Sequence, residues 1–259
     1  MRIESLKTCC VVVTRPAVQA ESLVRRFKVS AAKVICFPGI SIEPAEDLSG
    51  PERIIQDLDR YQHLVFTSVN AARFGMDLVD HYWPQWPVGL NWYAIGEATA
   101  KELRSHDIIA QVPKVSSSEG LLAMAPLQQI SEHKVLIFKG VGGRTLLQET
   151  FIQRKAKVVC AEVYQRVRPE ASAAALSEIK AAITEPSMQV VMVVSSVEIL
   201  KNMEILLGIL WTEFKHRLLI VVSERIAIQA RKKGFSQVLV AASASDSAIE
   251  SALIRYMER

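Results

Sequence analysis

Val190-Val191-Met192-Val193-Val194-Ser195-Ser196-Val197-Glu198-Ile199-Leu200 passes from an unbroken apolar run, through two serines, into helical spacing. A short valine-rich run with no polar alternation is what a strand buried on both faces requires. Serine at the following junction supplies an oxygen to the free N–H groups of a helix's first turn. The segment thus reads as a strand over 190–194 and a helix over 197–206.

The same grammar recurs on either side. Strands are predicted at 11–14, 34–37, 63–66, 92–95, 135–138, 158–160, 218–222 and 238–241. Helices are predicted at 18–27, 70–79, 98–103, 146–154, 173–183, 226–233 and 247–257. Leu23 and Phe27 mark the inner face of the first helix, and Pro38-Gly39 is a break. Strand–helix alternation of this kind gives an α/β fold with doubly wound parallel sheets, helices on both faces and right-handed crossovers. A weak internal repeat runs through it. Val12-Val13-Thr14-Arg15 parallels Ile137-Phe138-Lys139-Gly140, Val65-Phe66-Thr67-Ser68 parallels Val193-Val194-Ser195-Ser196, and Ala94-Ile95-Gly96-Glu97 parallels Val221-Val222-Ser223-Glu224. The three spacings are 125, 128 and 127 residues. Near-constant spacing with preserved order indicates two similar α/β units in tandem.

Composition narrows the function classes. The chain has 259 residues, half of them apolar and 22% charged, an ordinary globular balance with enough length for a sizeable core. The net charge of +4 suits a small anionic substrate. The basic runs Arg231-Lys232-Lys233 and Arg25-Arg26 are short enough to be solvated helix faces, so no nucleic-acid partner is expected. Cys9, Cys10, Cys36 and Cys160 form no C-x-x-C pair and lie in or beside apolar runs, which predicts buried, reduced strand residues. His63, His81, His106, His133 and His216 show no metal-ligand spacing, so no metal is expected. Arg2, Glu4 and Lys7 precede a run, Cys9 to Val13, too short for a signal-peptide core. No apolar stretch approaches the ~18 residues of a membrane span. A cytoplasmic protein with no membrane partner is the expectation.

Polar residues gather where strands end and helices begin, the ligand-bearing edge of a doubly wound sheet. They are Thr14-Arg15, Thr67-Ser68, Gly96 with Thr99, Lys139 with Gly142-Gly143-Arg144, Ser195-Ser196, and Ser223 with Arg225. Each serine or threonine alone can be a helix cap; as a set at one kind of position they describe an anion-binding cleft. Ser116-Ser117-Ser118-Glu119-Gly120 reads as a capped helix start that can also offer donors to a carboxylate. Gly140-x-Gly142-Gly143-Arg144 lacks the spacing of a dinucleotide loop and the ending of a P-loop. There is no G-x-S-x-G elbow, no H-E-x-x-H and no evident carboxylate pair.

The ordered set Val13-Thr14-Arg15-Pro16, Phe66-Thr67-Ser68-x-Asn70-Ala71, Ile95-Gly96-x-x-Thr99-Ala100, Ser118-Glu119-Gly120-Leu121-Leu122, Gly142-Gly143-Arg144-x-x-Leu147, Val163-Tyr164-x-Arg166 and Ser223-Glu224-Arg225-Ile226-Ala227 resembles the uroporphyrinogen-III synthase family. The likeness runs from about residue 11 to 253. It implies two α/β domains joined by a two-stranded connector: a discontinuous domain of residues 1–38 plus 168–259, an inserted domain of 45–160, and connectors near 39–44 and 161–167. It implies a cofactor-free cyclising lyase acting on hydroxymethylbilane, a linear tetrapyrrole with acetate and propionate carboxylates. Water is lost, ring D is inverted through a spiro intermediate, and uncatalysed closure gives the uninverted isomer. By resemblance and by position, Thr14, Arg15, Thr67, Ser68, Asn70, Gly96, Thr99, Ser117, Ser118, Lys139, Arg144, Ser195, Ser196, Ser223 and Arg225 are the expected substrate-binding residues. Tyr164 is the expected catalytic residue, as hydrogen-bond donor or general acid to the departing hydroxyl. A phenol is a weak but usable proton donor at neutral pH. A tyrosine that only braces the connector is the alternative. The resemblance also implies a monomer in transient contact at most with the preceding enzyme of the pathway. Ser30-Ala31 and Arg154-Lys155-Ala156 stand where family members often carry glycine, at surface turns. A non-catalytic two-lobed protein binding a polycarboxylate, and a nucleotide-dependent enzyme using Gly140 to Arg144, are the competing readings.

Overall fold

The computed structural model describes residues 6–30 and 32–258. Arg2 and Glu4, the start of the expected 1–38 segment, and Ala31 lie outside the described residues. The chain divides into two compact units, Met1–Ser41 with Val167–Arg259 (unit 1) and Ile42–Arg166 (unit 2).

In chain order the elements are β1 (Cys9–Val13), α1 (Ala17–Val29), β2 (Lys33–Cys36), β3 (Ser41–Pro44), α2 (Ser49–Gln56), β4 (His63–Phe66), α3 (Val69–Tyr82), β5 (Asn91–Ala94), α4 (Glu97–Arg104), α5 (Ser118–Leu122), β6 (Lys134–Gly140), α6 (Leu146–Gln153), β7 (Lys157–Val167), α7 (Ala173–Thr184), β8 (Gln189–Val194), α8 (Val197–Leu207), α9 (Leu210–Phe214), β9 (Leu218–Val221), α10 (Glu224–Lys232), β10 (Gln237–Val240) and α11 (Asp246–Met257).

Unit 1 carries a sheet of order β10-β9-β8-β1-β2, with every neighbouring pair parallel. Its central strands β1, β8 and β9 are buried on both faces, which is why they read as continuous apolar runs. Leu23 and Phe27 of α1 and Ile249 and Leu253 of α11 cover one face, against Val11, Val13, Val191, Val193 and Ile220. The alternate strand residues Cys10, Val12, Val190, Met192 and Val194 are buried on the other face. Burial pushes the Cys9 and Cys10 thiols up to about 11. Cys36 departs from the expected burial: it ends the edge strand β2 and is exposed.

Unit 2 carries a sheet of order β3-β7-β6-β4-β5, in which β7, β6, β4 and β5 pair in parallel. Leu64, Phe66, Leu136 and Phe138 face Ile55, Met76, Val79 and Leu103 of the helices α2, α3 and α4. Val65, Tyr93, Val135 and Ile137 face Leu121, Leu147 and Phe151 on the α5 and α6 side. Phe66 and Phe138 stack with ring centroids 4.4 Å apart at the middle of the first layer. At the opposite end of β4, His63 is buried and its Nε2 lies 2.9 Å from Nδ1 of His133.

The sheet orders explain the repeat. Read from one side, unit 1 runs β2-β1-β8-β9 and unit 2 runs β7-β6-β4-β5. The three strand ends matched in sequence, β1 with β6, β4 with β8 and β5 with β9, therefore occupy the same sheet positions. Each unit takes its first strands from one sequence repeat and its remaining strands from the other. The 39–44 and 161–167 stretches are both extended: β3 lies beside β7, and Ala45 N–H donates to the Val163 carbonyl at 3.2 Å. β7 is a single strand continuous with the sheet, rather than a short strand at 158–160 followed by a separate one. Helix α2 has no counterpart in the sequence reading because Gly50-Pro51 resembles a break. Pro51 sits in the first turn, where a helix needs no N–H from it. The short α9 was also unexpected; its Trp211 and Phe214 are buried.

Candidate active site

In this sheet order, neighbouring strands whose chains leave toward opposite edges open a crevice beyond their carboxyl ends. In unit 2 that place is between β4 and β6. A cavity of about 550 Å³ lies there, lined by Thr67 and Ser68 after β4, Lys139 and Gly140 at the end of β6 and Val141 to Arg144 after it, Ser116 to Ser118, Ile95, Leu147, Tyr164 and Arg166. Its volume is in the ordinary range of small-molecule sites.

Tyr164 reaches this cavity through an irregularity in β7. Pairing with β6 runs regularly to Lys139↔Glu162 and then skips to Gly140↔Tyr164, so Val163 is an extra residue. Strict alternation would send Val163 and Tyr164 to opposite faces; after the bulge both join the same apolar layer. Tyr164 is 5% exposed. Its ring lies so close over Gly140 that a Cβ there would sit 2.6 Å from Cζ. Phe74 stacks on it at 6.1 Å between centroids, with 18° between planes. The Tyr164 hydroxyl is 3.1 Å from Ser68 Oγ.

The neighbouring polar groups have distinct duties. Ser68 caps α3, accepting the Ala71 N–H at 3.0 Å. Thr67 Oγ1 donates to the Phe138 carbonyl at 2.9 Å, tying β4 to β6 beneath the crevice. Lys139, 7% exposed, donates to the Gly143 carbonyl at 3.0 Å, with Glu162 at 3.8 Å. It braces the β6–α6 loop, whose tightest point, Gly142, has φ +67°. Arg144 is exposed beside that loop. Ser117 caps α5, accepting the Gly120 N–H at 3.0 Å. The Glu119 backbone N–H, the Ser117 hydroxyl and, more weakly, Arg144 hold the Glu119 carboxyl below its usual range.

Not all the expected residues share this cavity. Asn70, in the first turn of α3, and Thr99, buried inside α4, are not among its lining. Gly96 caps α4 and its Cα packs against Ser116, leaving no room for a Cβ. Thr14, Arg15, Ser195, Ser196, Ser223 and Arg225 stand at the carboxyl ends of β1, β8 and β9 in unit 1. There, buried Thr14 donates to the Val193 carbonyl at 2.6 Å, crossing the β1–β8 switch point as Thr67 crosses that of unit 2, though from the other strand of the pair. Arg15 pairs with Asp246 at 2.6 Å and donates to the Ala244 carbonyl at 2.7 Å. Ser196 caps α8, Ser223 makes no side-chain cap bond to α10, and Arg225 is exposed. Sequence reading named Gly140 as the start of a weak glycine-rich loop and Ser116 as part of a capped helix start; that Gly140 lies under the Tyr164 ring and Ser116 against Gly96 depends on contacts between distant parts of the chain.

The sequence model of a family described as uroporphyrinogen-III synthase HemD matches residues 21–250. The uroporphyrinogen-III synthase of Escherichia coli K12 is 32% identical over 248 residues, 94% of this chain and 99% of that protein. The chain belongs to the uroporphyrinogen-III synthase family. A relative of the same description from Proteus mirabilis is 35% identical over 161 residues, 61% of this chain and 80% of that one. The fold agrees with solved uroporphyrinogen-III synthases. The Helicobacter pylori 26695 structure gives a TM-score of 0.59 at 14% identity, over 95% of this chain and 98% of that one. A mutant from Thermus thermophilus gives 0.56 at 12% identity, over 96% and 99%. Uroporphyrinogen-III synthases are cyclising lyases of tetrapyrrole synthesis. Among the described residues no helix is long and apolar enough to cross a membrane, and no group of three or more His, Cys, Asp or Glu could hold a metal ion.

Proposed function

We propose that the chain cyclises hydroxymethylbilane to uroporphyrinogen III, with loss of water and inversion of ring D through a spiro intermediate, and that the unit 2 crevice does the acid chemistry. The observation that carries this reading is the β7 bulge, which delivers a buried phenol to a polar cavity at the carboxyl ends of β4 and β6. The reaction has no net oxidation or reduction. It needs help for a departing hydroxyl and restraint of one substrate conformation, and restraint alone can supply much of a rate enhancement.

Tyr164 gives its proton to the leaving oxygen. Ser117, Ser118 and Arg144, with the backbone N–H groups of the Gly140–Arg144 loop, hold carboxylates around the reacting end; Lys139 keeps that loop in shape, and Thr67, whose hydroxyl and N–H both go to the Phe138 carbonyl, shapes the floor and is no carboxylate donor. Asn70, Gly96 and Thr99 shape the same edge. Ser195, Ser196, Ser223 and Arg225 of unit 1 are further donors to the substrate, whereas Thr14 is fully buried with its one hydroxyl proton given to the Val193 carbonyl and is left out of the set. Arg15 is left out of the set, because Asp246 and Ala244 take up its guanidinium. The chain acts as a cytoplasmic monomer that takes its unstable substrate from the preceding synthase by transient contact at most.

The test is a coupled assay. Hydroxymethylbilane is generated in situ from porphobilinogen by the preceding synthase, and products are oxidised to porphyrins and separated by isomer. Isomer III appearing only with this protein supports the reading; isomer I alone in the presence of folded protein overturns it in favour of a non-catalytic polycarboxylate binder. Tyr164→Phe is expected to lower turnover by roughly 10²-fold, a usual scale for general acid catalysis. Full turnover at unchanged stability removes the role.

A further inference from the structure

We infer that Ser68 is a positioning residue that aims the Tyr164 proton at the substrate, rather than a ligand of a substrate carboxylate. The inference rests on the reading of Tyr164 as the acid, and goes beyond it by asking where the phenol's proton points.

A serine hydroxyl has one proton to give and two lone pairs. One lone pair of Ser68 Oγ is taken by the Ala71 N–H at 3.0 Å, and the oxygen's other partner is the Tyr164 hydroxyl at 3.1 Å. Two protons are thus available for one oxygen–oxygen contact. With the phenol donating to Ser68, its proton is spent inside the protein and cannot reach the cavity. With Ser68 donating to the phenol oxygen, the phenol proton is turned outward. The ring itself has no freedom to change this, being held between the Gly140 backbone and the Phe74 ring. An accepting hydroxyl on the substrate selects the second arrangement.

The arrangement also serves the next step. As the carbon–oxygen bond of the hydroxymethyl group breaks, its electron pair stays on oxygen. That oxygen takes the Tyr164 proton and departs as water. The phenolate left behind keeps the Ser68 O–H as donor and lies by the N-terminus of the 14-residue α3, which favours negative charge. It regains a proton when the ring D carbon at which the macrocycle finally closes gives up its hydrogen, so the cycle balances.

The test compares Ser68→Ala, Ser68→Gly and Ser68→Thr with the parent and with Tyr164→Phe, in the coupled assay with urea unfolding as control. Ser68→Gly lacks the hydroxyl yet remains a tolerated helix cap, so it stays informative if the alanine variant folds poorly. Ser68→Ala and Ser68→Gly are expected to lower kcat by roughly ten- to a hundredfold with KM within about twofold, and Ser68→Thr to restore most of it. Adding Ser68→Gly to Tyr164→Phe should cost little more than Tyr164→Phe alone. Raised KM with parental kcat, or full additivity with Tyr164→Phe, overturns the inference by making Ser68 an independent ligand. Parental turnover in Tyr164→Phe overturns instead the reading beneath it, a distinct result.

Discussion

Gly140→Ala adds one methyl group at the point where β6 meets the Tyr164 ring, and its effect can be worked from the distances. The new Cβ would lie 2.6, 2.9 and 3.0 Å from Cζ, Cε2 and Cε1 of Tyr164, where ordinary contact begins at 3.4 Å. Either the ring or the strand must give by about 0.8 Å. Main-chain pairing with β4 and β7 holds the strand, so the ring moves first, into Phe74. Overpacking of this kind costs about 1–3 kcal/mol. The same displacement carries the hydroxyl off its 3.1 Å contact with Ser68, and a shift approaching 1 Å at a reacting group can cost on the order of 10²-fold in rate. Gly140→Ala should therefore resemble Tyr164→Phe in turnover while also lowering the urea midpoint, and the product should drift toward isomer I as uncatalysed closure competes. Phe74→Leu, which gives the ring room, should return part of the activity to Gly140→Ala. Parental turnover, isomer ratio and urea midpoint in Gly140→Ala would refute both the close approach and the role drawn from it.

Arg15→Met should lower stability by about 2–3 kcal/mol in urea unfolding. It strands Asp246 from a largely buried partner, although the carboxylate keeps its favourable place in the first turn of α11. A raised KM at parental stability would instead put Arg15 on the substrate. Burial, and secondarily His133, lower the His63 pKa from 6.5 to about 4. Between those values the unfolded chain binds more protons than the fold, so stability is full above pH 6.5 and is lost as pH falls toward 4. Near pH 5 the loss from this residue is about 2 kcal/mol, at 1.36 kcal/mol per pH unit. Unfolding midpoints from pH 8 to 5 should show it, and His63→Gln should flatten that slope; an identical slope in the variant would remove His63 as its source.

The sequence made the strands and helices legible because their causes are local. Continuous apolar runs mark β1, β8 and β9, and Ser68 and Ser196 announce the helices they cap. The crevice was legible as a class of position, since Thr67, Ser68, Ser117 and Lys139 all follow from asking what stands where a strand or loop gives way to a helix. What each residue does there was not legible, because that depends on partners far along the chain. Lys139 looked like a cation offered to substrate, yet its amine is engaged by the Gly143 carbonyl near Glu162. Arg15 looked similar and is engaged by Asp246. The His63–His133 contact joins residues with no spacing signal at all. A bulge is the hardest case: nothing local in Val163-Tyr164 says that β6 will skip a partner there.

The repeat gives the bulge its meaning. The two units share strand positions, and each crosses its switch point with a threonine donating to a carbonyl on the neighbouring strand, Thr14 to Val193 and Thr67 to Phe138. Those bonds tie the two central strands together at the carboxyl edge of each sheet and do not distinguish one unit from the other. The difference lies in the strand beside β6 and its counterpart beside β1. β2 is four residues long and pairs regularly with β1, from Cys10↔Lys33 to Val13↔Cys36. β7 is eleven residues long, runs past the end of β6 and inserts Val163. That insertion brings a phenol to an edge otherwise lined by serines, threonines and backbone N–H groups. If this is the origin of the acid chemistry, inserting one alanine between Lys139 and Gly140 should give Val163 a partner on β6, restore regular alternation and turn Tyr164 to the opposite face, away from Ser68. Isomer III formation should then fall at least as far as in Tyr164→Phe. An insertion variant that stays folded and keeps making isomer III at the parental rate would show that the bulge is incidental.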